Sequence, residues 1–214
     1  AAEVICSSIA NVNFKDVRKK YGEIDGLVGG PPCPPFSKSR FYRTDKKRGI
    51  EDESGFLTVS NYFRALEELN PKFFFFENVA GFVFKPHKAA LDMVKEESER
   101  LGYKIVYKVI NAANYGVPQI RQRFICVGVK KELKDFIFPE ETHSENGEDG
   151  KKKWVTCGDV IGDIDYDLPE DKDRLAGSKH KHLLPLVPPG DNYLFFTEKR
   201  GYPNPIFKWR SRYW

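Results

Sequence analysis

Short apolar runs alternate with helix-patterned stretches along the first 130 residues, and this alternation constrains the fold more than any single motif. "AEVIC" (2–6), "IDGLVGG" (24–30), "KFFFFENV" (72–79), "KIVYKVI" (104–110) and "QRFICVGV" (122–129) read as strands. Between them, "SGFLTVSNYFRALEELNPK" places Leu57, Phe63, Leu66 and Leu69 near helical spacing and stops at Pro71. "HKAALDMVKEESERLGY" (87–103) is an amphipathic helix with Gly102 as its C-terminal signal. Strands interleaved with helices predict an α/β sheet with helices on its faces. The polar stretch "PEETHSENGEDGKKK" then reads as a linker or exposed loop, and an aromatic texture rich in Pro and Gly follows it. The expected organisation is a core over 1–138, a linker over 139–153 and a second region over 154–214.

Composition narrows the class. With 214 residues, 40% hydrophobic and 31% charged, the chain can bury one sizeable core and a small second lobe. Thirty-five basic residues against 31 acidic ones leave a formal charge of +4, so any nucleic-acid argument must come from local clusters. No apolar run approaches the roughly 20 residues of a membrane helix, and "AAEVICSSIANV" lacks the pattern of a signal peptide. Cys6, Cys33, Cys126 and Cys157 form no CxxC or Cys/His ligand pattern, so no metal is expected, and reduced thiols in the cytoplasm are.

Three segments carry candidate chemistry. Cys33 lies in "GLVGGPPCPPFSKSR", just past a strand expected to be central, at the sheet edge where ligands bind in α/β folds. It is either packing or a positioned nucleophile; Cys126, inside "RFICVGV", suits the packing role. Glu77 ends the phenylalanine strand. It is either a surface acid or a carboxyl at the same edge, where apolar surroundings favour the form that donates a hydrogen bond. In "NYGVPQIRQRFICVGV", strand alternation puts Gln119, Arg121 and Arg123 on one face, as an anion or polar-ring clamp or as a solvated edge.

Taken in order, "GGPPCPPFS", "FFFENVAGF" and "NYGVPQIRQRFICVGV" closely resemble the catalytic motifs of the cytosine-5 DNA methyltransferases. The resemblance covers about residues 2–130, with a looser echo beyond. It implies a Rossmann-like S-adenosylmethionine-dependent methyltransferase core with the start of a small target-recognition lobe over 154–214. The implied substrate is cytosine C5 in double-stranded DNA, in an enzyme of restriction-modification type. Cys33 takes the role of the thiolate that adds to C6 of a flipped-out base. Glu77 takes the contact to N3 and the exocyclic amino group, and Arg123 the contact to the base carbonyl. Arg121 falls to phosphate or site organisation, and Asn78 and Gln119 to the structure of their motifs.

The resemblance also implies S-adenosylmethionine contacts at Ile9, Pro32 and Leu57. The basic stretch "SKSRFYRTDKKRG", with Ser37, Lys38, Arg40, Lys46, Lys47 and Arg48, matches a loop that closes over DNA and suits phosphate contacts. Pro34 stands where the family usually has glutamine, and Ser8-Ile9 where it has an Asp-Ile pair. The Gly-rich FxGxGG opening and the closing motifs do not occur, so an internal portion of a larger enzyme is expected. Such an enzyme would work as a monomer in the cytoplasm, at the nucleoid if prokaryotic. Two alternatives stand beside it: a relative acting on transfer RNA, and a catalytically inactive DNA-binding module. Near the end, Lys208, Arg210 and Arg212 interleave with Trp209, Tyr213 and Trp214 as a nucleic-acid face or as ordinary aromatic packing.

Overall fold

The computed structural model describes residues 3–32, 53–163, 181–188 and 190–206. Cys33, Ser37, Lys38, Arg40, Lys46, Lys47 and Arg48 lie outside the described residues, as does the aromatic-basic segment 207–214.

Among the described residues, four strands form a mixed sheet in the order β1-β2-β4-β3: β1 (Gly26–Gly29), β2 (Phe73–Val79), β3 (Tyr103–Asn111) and β4 (Gln122–Lys130). β1 and β2 are parallel; β4 runs antiparallel to both β2 and β3. Helix α1 (Phe14–Tyr21) precedes β1, α2 (Glu53–Leu69) joins β1 to β2, and α3 (Lys88–Arg100) joins β2 to β3.

The side-chain period of 2 splits the phenylalanine run. Phe74, Phe76 and Asn78 are buried on one face, while Phe73, Phe75 and Glu77 turn to the other. On the buried face, Val59, Tyr62, Phe63 and Leu66 of α2 and Ala90 and Val94 of α3 pack against Phe74, Phe76, Tyr103, Phe124 and Cys126. Edge-on ring contacts dominate, as between Tyr62 and Phe76 at 5.1 Å. The Tyr62 hydroxyl donates to the Phe75 carbonyl at 3.0 Å, so this buried polar group is satisfied on the strand it covers.

Two expectations change. "AEVIC" forms no strand: Ser7 N–H closes a turn onto the Ile5 carbonyl, and Val4 and Ile5 are exposed. Without a ladder partner its apolar residues have nothing to pair with, and β1 is the sheet edge among the described residues rather than a central strand. Second, α1 was not anticipated. It fully buries no residue, and its apolar positions Phe14, Val17 and Tyr21, though helically spaced, span only two turns. Its signals are local: the Asn13 side chain accepts from the Lys15 and Asp16 amides, and Gly22 ends it at φ +78°. The segment 139–153, expected as a linker or exposed loop, carries a short parallel pair of β5 (His143–Ser144) and β6 (Lys152–Lys153).

Backbone contacts divide the chain into two compact units, Ala1–Gly162 and Asp163–Trp214. Residues 139–153 and the short helix α4 (Cys157–Ile161) fall in the first. In the second, Leu183 and Phe196 are buried with Val187, Tyr193, Phe195 and Tyr202 around them. Among the described residues, no helix is long and apolar enough to cross a membrane.

Candidate active site

The direction of the strands gathers the motifs. β1, β2 and β3 end at one sheet edge, and β4, being antiparallel, begins there. The exits of "GLVGG" and "FFFFENV" therefore meet the entry of "QRFICVGV" although 45 residues separate Asn78 from Arg123 in sequence.

Glu77 and Arg123 share the sheet face opposite the helices, and Arg123 Nε lies 2.7 Å from Glu77 Oε1. Both side chains are partly exposed, at 35% and 21%. The pair is thus covered enough to be fixed and open enough to be reached. The partner of Glu77 is a guanidinium rather than the apolar wall expected from four phenylalanines. The other end of that guanidinium donates to the Gln122 carbonyl at 2.8 Å, which sets its plane.

Asn78 points into the protein and is 1% exposed. Its Nδ2 donates to the Pro31 carbonyl at 3.2 Å, and its Oδ1 accepts from the Val79 amide at 3.0 Å. One side chain thereby ties the end of β2 to the turn that leads into Cys33. Gly30 lies on that turn, where an added Cβ would stand 3.0 Å from Glu77 Oε2. The turn is packed against the carboxylate, which brings the backbone before Cys33 to the Glu77–Arg123 pair.

Gln119 and Arg121 do not obey strand alternation, because β4 begins only at Gln122. Both are exposed, in the loop between β3 and β4. The Asn111 side chain accepts from the amides of Ala113 at 3.3 Å and Arg121 at 3.0 Å, closing this loop at its base. Neither Asn111 nor Arg64 was singled out in the sequence. Arg64 projects from α2 and donates to the carbonyls of Ile9 at 2.6 Å and Val12 at 3.1 Å, laying the turn Ile9–Asn11 along the helix. Polar side chains that bond distant backbone leave no periodic signal.

Ile9 and Leu57 are 41% and 47% exposed on these adjoining elements, and Pro32 is exposed at the end of its turn. Cys126 is fully buried, and burial pushes its thiol up to about 12. It is packing, not a nucleophile. Among the described residues, no group of three or more His, Cys, Asp or Glu could hold a metal.

The mixed α/β sheet, with its site at the strand exits and helices packed on its other face, is a core of the S-adenosylmethionine-dependent methyltransferase fold, as its relatives show. The model of the C-5 cytosine-specific DNA methylases matches residues 1–187, and the chain belongs to that family. It is 37% identical to the type II methyltransferase M.SacI of Streptomyces achromogenes over 99% of this chain and 55% of that one. Against M.XorII of Xanthomonas oryzae it is 39% identical, over 75% of this chain and 35% of the relative. The chain thus spans about half or less of the length of these curated relatives. An E. coli prophage protein described as a DNA modification methyltransferase has a similar fold, with a TM-score of 0.52 and 26% identity, over 72% of this chain and 40% of that one.

Proposed function

We propose that this chain carries the catalytic face of an enzyme that methylates C5 of cytosine in double-stranded DNA, as the modification partner of a restriction system. The observation that supports it most is the Glu77–Arg123 pair packed against the turn that leads into Cys33, in a chain of the C-5 cytosine-specific methylase family.

The chemistry needs a nucleophile at C6 because C5 alone is a poor one. The Cys33 thiolate bonds C6, and the C5=C6 pair moves through C5 and C4 toward N3 while Glu77, having taken up a proton on leaving Arg123 for the base, gives it to N3 and contacts the amino group. Arg123 donates to the base carbonyl. When bound, S-adenosylmethionine would supply the electrophilic methyl that C5 takes, its sulfur leaving as the neutral thioether. Loss of the C5 proton to water with departure of the Cys33 sulfur restores the C5=C6 bond, and return of the N3 proton to Glu77 restores the aromatic ring. The base must leave the stack to reach these groups, at a cost of a few kcal/mol. Ile9 and Leu57 fit the methyl donor in one respect: both leave apolar surface open on neighbouring elements, where an adenine could be covered. They and Pro32 would hold it.

Arg121, Ser37, Lys38, Arg40, Lys46, Lys47 and Arg48 would contact DNA phosphates, and residues 154–214 would belong to the target-recognition region. The enzyme would act as a monomer in the cytoplasm. Tritium release from labelled duplex DNA and from transfer RNA, with the full-length protein, tests the reading. Release from DNA alone is expected; release from RNA alone would replace the substrate, and none from either would leave a binding module. DNA carrying 5-fluorocytosine should trap an adduct on Cys33, since fluorine cannot leave as a proton does.

A further inference from the structure

The segment after Pro139 grips the loop that carries Gln119 and Arg121. The Asn114 carbonyl accepts from the Thr142 amide at 3.0 Å, and Asn114 Oδ1 accepts from the Trp154 indole Nε1 at 3.0 Å. The Tyr115 hydroxyl donates to the Pro139 carbonyl at 3.3 Å. The His143 ring lies so close to Gly116 that an added Cβ would stand 2.9 Å from its Cε1, and Gly116 is held at φ +85°. Further on, the Cys157 thiol donates to the Pro118 carbonyl at 3.0 Å. The segment is itself folded: Lys152 N–H bonds the Thr142 carbonyl and Trp154 N–H bonds the Ser144 carbonyl, at 3.0 and 2.9 Å.

A linker needs none of these contacts. They fall at positions 114, 115, 116 and 118, on the stretch just before Gln119. The other side of the loop is closed by Asn111, which holds the Arg121 amide. The loop is therefore clamped at its base by β3 and along its length by residues 139–157. Asn114 is the centre of the grip, joined to Thr142 through its backbone carbonyl and to Trp154 through its side chain.

We propose that residues 139–157 act as a brace, and that Asn114 and Trp154 are positioning residues which hold Arg121 at the sheet edge for DNA. The role assigned to Arg121 rests on the cytosine-methyltransferase reading; the brace itself does not. Removing the indole donor while keeping an aromatic ring should loosen the loop without unfolding the core, because none of these contacts belongs to the buried cluster around Phe74 and Phe76.

The test uses the full-length protein with Trp154→Phe. Hydrogen exchange should quicken about fivefold over residues 112–121, the effect of losing one ordinary hydrogen bond, and stay unchanged over β4. Unchanged exchange in the loop overturns the brace. Methylation kinetics give a separate readout. The KM for duplex DNA should rise about fivefold while kcat and the KM for the methyl donor hold. Arg121→Ala should raise the DNA KM as well, and the double variant should be no worse than Arg121→Ala alone. Effects that multiply would overturn the positioning of Arg121. Should Trp154→Phe fail to fold, Cys157→Ala should quicken exchange around residues 117–119, and no change there overturns the brace equally. A full-length protein without cytosine-5 methylation would sink the proposed function and leave the exchange result to decide the brace.

Discussion

Arg123 and Glu77 form their 2.7 Å ion pair diagonally across the sheet. Glu77 stands opposite Ile125, and Arg123 stands opposite Val79. Each is two residues from the other's direct partner, a spacing that only long side chains bridge. The contact is therefore set by strand register and by side-chain length together.

Shortening or neutralising either member should be felt in the reaction rather than in the fold. Glu77→Gln keeps the size and can donate a hydrogen bond but cannot pass a proton. The methylation rate of the full-length enzyme should fall by about 100- to 10,000-fold, with the thermal midpoint little changed. Arg123→Ala should lower the rate and also weaken discrimination between cytosine and other bases. Single-turnover assays and melting curves check both.

The thiols should separate by reactivity. Cys6 and Cys157 are exposed, and Cys126 is fully buried with its thiol pushed up to about 12. Alkylation needs the thiolate. Iodoacetamide at pH 8, followed by peptide mapping, should label Cys6 and Cys157 in the native protein, and Cys126 only after denaturation. Labelling of Cys126 in the folded state would contradict its burial.

Gly128 on β4 should tolerate no side chain. An added Cβ would stand 2.0 Å from Phe74 Cε1, and that ring is locked in the core. Gly128→Ala should destabilise the protein by about 1–3 kcal/mol, the usual cost of overpacking, in chemical denaturation. An unchanged midpoint would mean that the Phe74 ring moves freely.

The brace should weaken in acid. The Asn114 side-chain hydrogen bond, with Lys108 and Lys151 nearby, holds the Glu141 carboxyl below the usual carboxylate range. A lowered carboxylate pKa contributes stability that is fully present above the unfolded value, about 4.3, and is lost as pH falls through the folded one. Protection factors over residues 112–121, taken relative to the intrinsic exchange rate at each pH, should fall in that acid window. In NMR titrations, Glu141 should have a lower midpoint than a free glutamate, and Asn114→Ala should move it upward.

Much of the sheet was legible because β2, β3 and β4 carry apolar runs long enough to read directly. The helices α2 and α3 showed their period and their stops, including Gly102, which takes φ +80° at the end of α3. The motifs at Glu77 and Arg123 could be read as a resemblance. What the sequence did not expose is why they meet: the antiparallel direction of β4 is a tertiary fact. Nor did it expose the brace, because its contacts come from single polar side chains and backbone groups. "AEVIC" looked like a strand by composition, but a strand needs a neighbour, and no local pattern reports one. Arg121 was placed by an alternation that begins one residue later.

The antiparallel course of β4 makes folding and the proposed chemistry answer to one register. Phe124 and Cys126 face the helices while Arg123 faces Glu77. A slip of one residue would expose the phenylalanine and bury the guanidinium in the same step, costing core packing and leaving a charge unpaired. A molecule with a misaligned strand would thus be unstable before it could be a poor catalyst. Active and correctly folded populations should coincide, and partially active misfolded species should not accumulate.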